Sequence, residues 1–336
     1  MTMRPDIWPR SLPGFLSVII PCYNEAENVD PLYERLRLVL KDLAVPYEIL
    51  YIENGSRDET KKKLLDLASR DSHVRLLIFT RNFGYQGAIS AGLEHAKGDA
   101  VVTMDGDLQD PPELIPALLK EWQNGFLIVY GRREKREAPR FYQWGYKWFY
   151  RFIRSMAYID IPLDASDFAL IDRRVADVLT DMPERDRFIR ALRAYTGFRH
   201  TGVSYDRPAR QAGESNFSLR DYLRFAQRGI FSFSFKPLEL ISLLAFVTVV
   251  LTILAALAYF ILALLKTDLP RGFPTTILIM LFLGGVQLLS LAIIGEYIGR
   301  IFEEIKHRPL YVLDREVHSA GVTGSCESGD DQVLPV

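Results

Sequence analysis

Five short apolar runs punctuate the N-terminal part of the chain, at 16–20, 47–52, 74–79, 100–104 and 127–130. They recur at intervals of roughly 25 residues, and the stretches between them carry apolar residues at helical spacing. Strands alternating with amphipathic helices predict an α/β fold on a doubly wound, mostly parallel sheet. Ligands of such sheets bind at the carboxyl ends of the strands, so chemistry is expected in the polar residues that follow each run. Those are Pro21-Cys22-Tyr23-Asn24-Glu25, Glu53-Asn54-Gly55-Ser56, Thr80-Arg81-Asn82-Phe83-Gly84, Asp105-Gly106-Asp107 and Gly131-Arg132-Arg133.

The pattern changes near residue 235. Residues 240–265 and 273–295 contain no Asp, Glu, Lys or Arg. At about 1.5 Å per residue, each is longer than the roughly 30 Å of a hydrocarbon core. Two transmembrane helices are predicted, at 238–265 and 273–298, because core helices of this length carry a polar face that these lack. Two other segments are basic on one side and apolar on the other. In 141–158, Lys147, Arg151 and Arg154 oppose Trp144, Trp148, Phe152 and Met156. In 218–236, Arg220, Arg224 and Arg228 oppose Leu219, Tyr222, Leu223, Ala226 and Ile230. Both are expected to lie in the headgroup layer, with an ordinary core helix left open for the first. The predicted organisation is an extension at 1–14, an α/β domain at 15–217 that includes the 141–158 helix, the 218–236 helix, two spans, and a tail at 299–336 whose Gly/Ser-rich end is expected to be disordered.

Composition adds bounds. The 336 residues carry a formal net charge of -1, which gives no reason to expect nucleic acid as a partner. A mean hydropathy of +0.03 fits a mixture of soluble and membrane parts. Cys22 and Cys326 lie too far apart in sequence to imply a disulfide framework or a metal cluster. The N-terminus has no continuous apolar stretch, so no signal peptide is expected. Cations gather before the first predicted span (Arg220, Arg224, Arg228, Lys236) and after the second (Arg300, Lys306, Arg308, Arg315). The connector holds only Lys266 and Arg271, against Asp268. The positive-inside rule then puts the α/β domain and both termini in the cytoplasm of a multi-pass protein of the inner (cell) membrane. Gly284, Gly285 and Gly295 would permit close helix approach, within a subunit or in a homo-oligomer.

The sharpest chemical signal is GDAVVTMDGDLQDPPE at 98–113, where an apolar strand delivers Asp105 and Asp107 on either side of Gly106. Two carboxylates beside a residue that lets the backbone come close suit a divalent cation held against a diphosphate. Asp110, just before Pro111-Pro112, is the candidate cap for the helix that follows. No G-x-G-x-x-G follows the first run and no Walker A motif occurs, which argues against dinucleotide oxidoreductases and P-loop enzymes.

SVIIPCYNEAENV, ENGSRDET, RNFGYQGAI, GDAVVTMDGDLQDPPELI, VYGRR and the stretch from ERDRFIRALRAYTGFRHTGV to RQAGESNFSL occur in one order. Together they resemble the family 2 inverting glycosyltransferases that build polyprenyl-phosphate sugars, in the branch of bactoprenol glucosyltransferases and dolichol-phosphate mannose synthases. The resemblance covers roughly residues 14 to 315. It implies a GT-A catalytic domain, a nucleotide-sugar donor with UDP-glucose preferred, a polyprenyl-phosphate acceptor at the bilayer, Mg²⁺ or Mn²⁺, and inversion at the sugar.

Carried onto this sequence, the resemblance makes Asp107 the metal ligand and Asp105 a ribose or further metal contact, with Gln109 in support. Pro21, Tyr23, Glu25 and Glu53 would form the base and ribose pocket, and Arg81 would touch the donor or pair with a carboxylate. Arg132 is assigned to the donor side and Asp167 to orienting the acceptor or sugar hydroxyls. Arg207, Arg210 and Ser215 lie where relatives carry a loop that closes on the diphosphate. Two positions depart from the pattern: Glu53-Asn54 replaces Asp-Asp, and Asn216 stands where a basic residue is usual. Two alternatives follow, a membrane-tethered nucleotide-sugar-binding protein without turnover and a synthase acting on a polysaccharide.

Overall fold

The computed structural model describes residues 9–133, 165–185, 187–205, 236–264, 272–318 and 321–323. The predicted helix at 141–158, all but the last residue of that at 218–236, and Arg207, Arg210 and Ser215 lie outside the described residues. The chain forms two compact units, one containing the sheet and resuming at Arg308, the other containing two long helices.

The five apolar runs become β1 (Leu16–Cys22), β2 (Tyr47–Glu53), β3 (Val74–Phe79), β4 (Ala100–Thr103) and β5 (Ile128–Arg133). Helices α1 (Val29–Asp42), α2 (Thr60–Arg70), α3 (Tyr85–His95) and α4 (Ile115–Gln123) separate them, with a short 3-10 turn at Pro112–Leu114. In α1 the buried residues are Val29, Leu32, Leu36 and Leu40, the three-and-four spacing that lines one helix face. β1 is buried along its whole length, as a parallel strand covered on both faces must be. It pairs in parallel with β2 on one side and β4 on the other, and β3 extends β2 in the same sense. The register sets Cys22 opposite Glu53 and Ile19 opposite Thr103, so the ends of β1, β2 and β4 converge.

Strands from later in the chain complete the sheet. β6 (Ala165–Asp172) inserts antiparallel between β4 and β5, and β7 (His200–Tyr205) lies parallel to β5. Between them run α5 (Arg173–Asp181) and α6 (Ile189–Tyr195). The full order is β7-β5-β6-β4-β1-β2-β3-β8-β9, where β8 is Leu313–His318 and β9 is Gly321–Thr323. Only β6 and β8 oppose the common direction, so the sheet is mostly parallel, as expected.

The tail differs from the one its composition predicts. After Arg308 it returns to the sheet, and β8 pairs antiparallel with β3. The physical reason is a polar network joined to an apolar contact. Arg75 donates to Glu48 at 2.5 Å and to Glu316 at 2.7 Å, and Val317 packs on the core. Tyr311 stacks on Phe79 with ring centroids 5.2 Å apart and donates its hydroxyl to Glu94 at 2.6 Å. Structure in the tail therefore reaches Thr323.

In the second unit, α7 (Lys236–Leu264) and α8 (Phe273–Ile305) coincide with the two predicted spans, α8 running past residue 298 to Ile305. Among the described residues, Phe282–Ile305 is long and apolar enough to cross a membrane, with a mean hydropathy of 1.5, and Ile241–Ala255 is a shorter apolar stretch.

Candidate functional site

The converging strand ends enclose a cleft of ≈ 240 Å³ lined by Pro21, Cys22, Tyr23, Glu25, Asn54, Tyr85, Asp105, Gly106 and Asp107. The ends of three strands far apart in sequence meet there because β1 lies between β2 and β4, and Tyr85 joins them from the start of α3. Pro21, Tyr23 and Glu25 face the cleft. Cys22 is buried, and burial pushes its thiol far above the usual range, as in a small apolar packing residue.

The loops that frame the cleft are knitted by backbone donors. Asn24, in the left-handed region at φ 55, donates its N–H to Ser56 Oγ at 3.1 Å and accepts from Arg57 N at 2.8 Å. Glu25 N donates to Thr60 Oγ1 at 2.9 Å, and Glu25 Oε2 accepts from Asn28 at 2.6 Å. Glu53 is 1% exposed and its Oε1 accepts from Ser56 N at 2.5 Å. It closes its own turn, and its neighbour Asn54 is the residue of that pair that lines the cleft.

Asn54 explains one departure from the family pattern. Its Oδ1 accepts from Phe83 N at 2.9 Å while its Nδ2 donates to Gly84 O at 3.2 Å, fastening the end of β2 to the loop before α3. A carboxylate could make only the first of these bonds. Gly55 belongs to the same junction: at φ +70, an added Cβ would meet Arg81 C and Asn82 N at 2.6 Å. Arg81 itself is not brought into the cleft. It donates to Asn82 O at 3.0 Å and lies over the Phe83 ring at 4.0 Å. Arg132 is also apart from the cleft lining, exposed and bonded to Ser204 Oγ at 3.3 Å.

The acidic segment is the centre of the site. Asp107 is 8% exposed and accepts from Gln109 N at 3.1 Å, in a loop turned by Leu108 at φ 62. That backbone N–H is the contact Gln109 makes to Asp107. Asp105 accepts the Tyr85 hydroxyl at 2.7 Å. Burial, with Asp110, Asp167 and Asp107 crowding it, pushes the Asp105 carboxyl up to about 7, against the opposing pull of the Tyr85 bond. Asp110 does not cap the following turn, whose cap position is Pro111. It is fully buried and accepts from Tyr205 Oη at 2.7 Å, a bond to β7 that sequence spacing does not reveal.

Asp167 enters from β6, where Thr103 Oγ1 donates to its backbone carbonyl at 2.6 Å. Its carboxylate is gripped by Arg190, Nε to Oδ1 at 3.3 Å and Nη2 to Oδ2 at 2.6 Å. Arg193, one turn on, is 5% exposed and donates to Ser166 O at 2.8 Å. Tyr85, Tyr205 and Arg190 are functional neighbours that sequence reasoning missed. Tyr85 and Arg190 lie inside the quoted segments RNFGYQGAI and ERDRFIRALRAYTGF, so the signal was position within a recognised block.

Among the described residues no three metal-ligating groups gather. The paired carboxylates Asp105 and Asp107 on the cleft wall nevertheless fit a hard divalent cation that takes its other ligands from water and phosphate oxygens. Mutual repulsion among four carboxylates is what a bound cation would relieve.

The model of the family described as glycosyl transferase family 2 matches residues 17–180. An uncharacterised glycosyltransferase of Synechocystis sp. is 42% identical over 304 residues, covering 89% of this chain and 94% of that one. The chain belongs to glycosyl transferase family 2. The α/β sheet is the GT-A-like fold expected of the family. A bactoprenol glucosyl transferase of Shigella phage SfV is 36% identical over 302 residues, 90% of this chain and 98% of that one. A mannosyltransferase of Pyrobaculum calidifontis solved with GDP-Man and Mn²⁺ is similar over 89% of this chain and 88% of that chain, at 18% identity and a TM-score of 0.41.

Proposed function

We propose that this chain transfers glucose from UDP-glucose to a polyprenyl phosphate with inversion, giving a lipid-phosphate-linked sugar. The observation that carries this reading is the acidic cleft at the converged strand ends, in a chain similar over nearly its whole length to a bactoprenol glucosyl transferase. The cleft's aromatic and polar rim suits a nucleoside, and Asp105 and Asp107 suit a diphosphate bridged by Mg²⁺ or Mn²⁺. When bound, that ion neutralises charge on the departing diphosphate.

The acceptor needs little activation. A phosphate monoester with a second pKa near 6 is largely dianionic at pH 7, so no strong general base is required. One of its oxygens attacks the anomeric carbon from the face opposite the nucleotide, the bond from that carbon to the diphosphate oxygen breaks, and UDP leaves with the electron pair. No proton needs to move. Asp105 and Asp107 would hold the ion, which would supply charge neutralisation at the leaving group, while Tyr85 fixes the Asp105 carboxylate through its 2.7 Å bond.

The membrane reading is two crossings, by α7 and α8, with the sheet on the cytoplasmic side. Its support is connectivity. The sheet takes β7 from before these helices and β8 from after them, so the intervening chain must cross a bilayer an even number of times. Both helices carry exposed large apolar residues, including Phe246 at 67% and Leu288 at 70%. The two-way bonding of Asn54 removes the motive for a decayed binding protein, because the departure from Asp serves the loop junction.

The test is nucleoside diphosphate release by the detergent-solubilised full chain, UDP from UDP-glucose and GDP from GDP-mannose, each with and without polyprenyl phosphate, and with Mg²⁺, Mn²⁺ or chelator. Release from UDP-glucose that needs both lipid phosphate and metal is expected. Release independent of lipid would sink the acceptor, and preference for the guanosine donor would sink the choice of nucleotide.

A further inference from the structure

We propose that Arg190 is the cation that receives the phosphate group of the acceptor, and that Asp167 is a positioning residue that aims it. This rests on the reading of the acceptor as a phosphate monoester.

The acidic cleft poses the problem. Asp105 and Asp107 line the cleft, the charges of Asp110 and Asp167 reach Asp105, and a dianionic acceptor approaching them needs a positive group placed in advance. α6 supplies it. Ile189 N donates to Gln86 Oε1 at 3.0 Å, and Gln86 follows Tyr85, the residue bonded to Asp105. Arg193 holds the helix to β6 through Ser166 O, and Arg190 lies one turn before it, on the same side of the helix. The bond from Thr103 to the Asp167 carbonyl ties β6 to β4 two residues before Asp105. Arg190 is thereby set on the flank of the cleft.

Two features separate Arg190 from its neighbours. Its side chain is 24% exposed, so a ligand can reach it, whereas Arg193 is buried. Its guanidinium is oriented by two bonds to one carboxylate, whereas Arg81 is turned onto Phe83 and Arg132 onto Ser204. A guanidinium held in a fork presents a planar pair of donors to phosphate and has little rotamer freedom left to lose on binding. Asp167 uses both oxygens in that fork, which suits positioning better than proton abstraction.

The experiment is steady-state kinetics on the full chain, varying polyprenyl phosphate at saturating UDP-glucose and then the reverse, with calorimetric affinity for UDP and metal as the donor-side control. Arg190→Gln should raise KM for polyprenyl phosphate about tenfold or more, the weight of one lost charged hydrogen bond, and leave UDP affinity unchanged. Arg190→Lys should recover part of the loss, and Asp167→Asn should raise the same KM by less. Arg190→Gln with wild-type KM for the lipid overturns the assignment, as does a parallel fall in UDP affinity. A wild-type chain that does not use polyprenyl phosphate at all removes the acceptor reading, a different result from a silent Arg190 variant in an active enzyme.

Discussion

The four central strands and the flanking strands of this sheet contribute to the site in different ways. The centre, β3-β2-β1-β4, is built from consecutive strand and helix units, and it delivers the cleft residues themselves: Pro21, Tyr23, Glu25, Asn54, Asp105 and Asp107. The flanks come from distant parts of the chain and brace those residues. β6 brings Asp167, β7 brings Tyr205 to Asp110, and β8 brings Glu316 to Arg75. A parallel strand buried on both faces has only its end left for polar chemistry, so the centre concentrates function at one edge. Strands added at either side supply the partners that buried charges require.

Substitution at the centre should act on turnover and substitution at the flanks, the Asp167–Arg190 pair apart, on stability, which can be tested from the largest effect downwards. Asp107→Asn should lower turnover by about 10²–10³, the scale of losing one preorganised charge contact to a leaving group. Its circular dichroism and thermal unfolding should match wild type; a coincident loss of fold would blur the division. Gly55→Ala sits on the border between the two regions. A side chain at φ +70 with backbone atoms 2.6 Å away should cost about 2–3 kcal/mol and also weaken UDP binding, since the junction positions Asn54. Unfolding midpoint and UDP affinity should fall together.

Tyr205→Phe takes the hydroxyl donor from Oδ1 of the buried Asp110 and should cost about 1–3 kcal/mol with little change in KM for the donor. A large kinetic effect with normal stability would assign β7 to the site itself. The smallest effect belongs to the β3–β8 edge. Burial works to raise the Glu316 carboxyl, but the hydrogen bonds and charge of Arg75 outweigh it and hold it below the usual glutamate value of 4.5. Its contribution is therefore complete above that value and is lost as pH falls through the lowered one. Hydrogen exchange should show β8 amides opening sooner on acidification while β1 stays protected, and Glu316→Gln should remove that dependence at a cost of about 1 kcal/mol or less. Equal acid sensitivity in β1 and β8 would contradict a separately fastened edge.

The strands of the centre were legible because each is a continuous apolar run ended by polar residues, and the helices between them show their buried face at regular spacing. Asp105 and Asp107 were legible for the same reason, as charges at the end of a Val-rich run. Glu53 was read correctly as a strand end but not in its contact, since which way a carboxylate turns depends on the loop it meets. Arg81 and Arg132 were credible donor contacts by residue type; Arg81 instead bonds the carbonyl of the adjacent Asn82, and Arg132 bonds Ser204 on a strand distant in sequence. The tail was the plainest miss. A short polar strand such as LDREVH has little periodic signal, and its place was decided by Arg75 and Glu48 more than two hundred residues earlier.

By itself, then, the sequence determined what depends on local pattern: alternating strands and helices, two long uncharged segments, and an acidic strand end in a recognisable order of motifs. Only the tertiary structure decided what depends on strand order. Inserting β6 beside β4 places Asp167 and Arg190 next to the acidic cleft, β7 closes a bond on Asp110, and the returning tail covers the edge of β3. The physical reason is that hydrogen bonds and charge pairs between distant segments carry no period along the chain. They exist only once the backbone has brought their partners within about 3 Å.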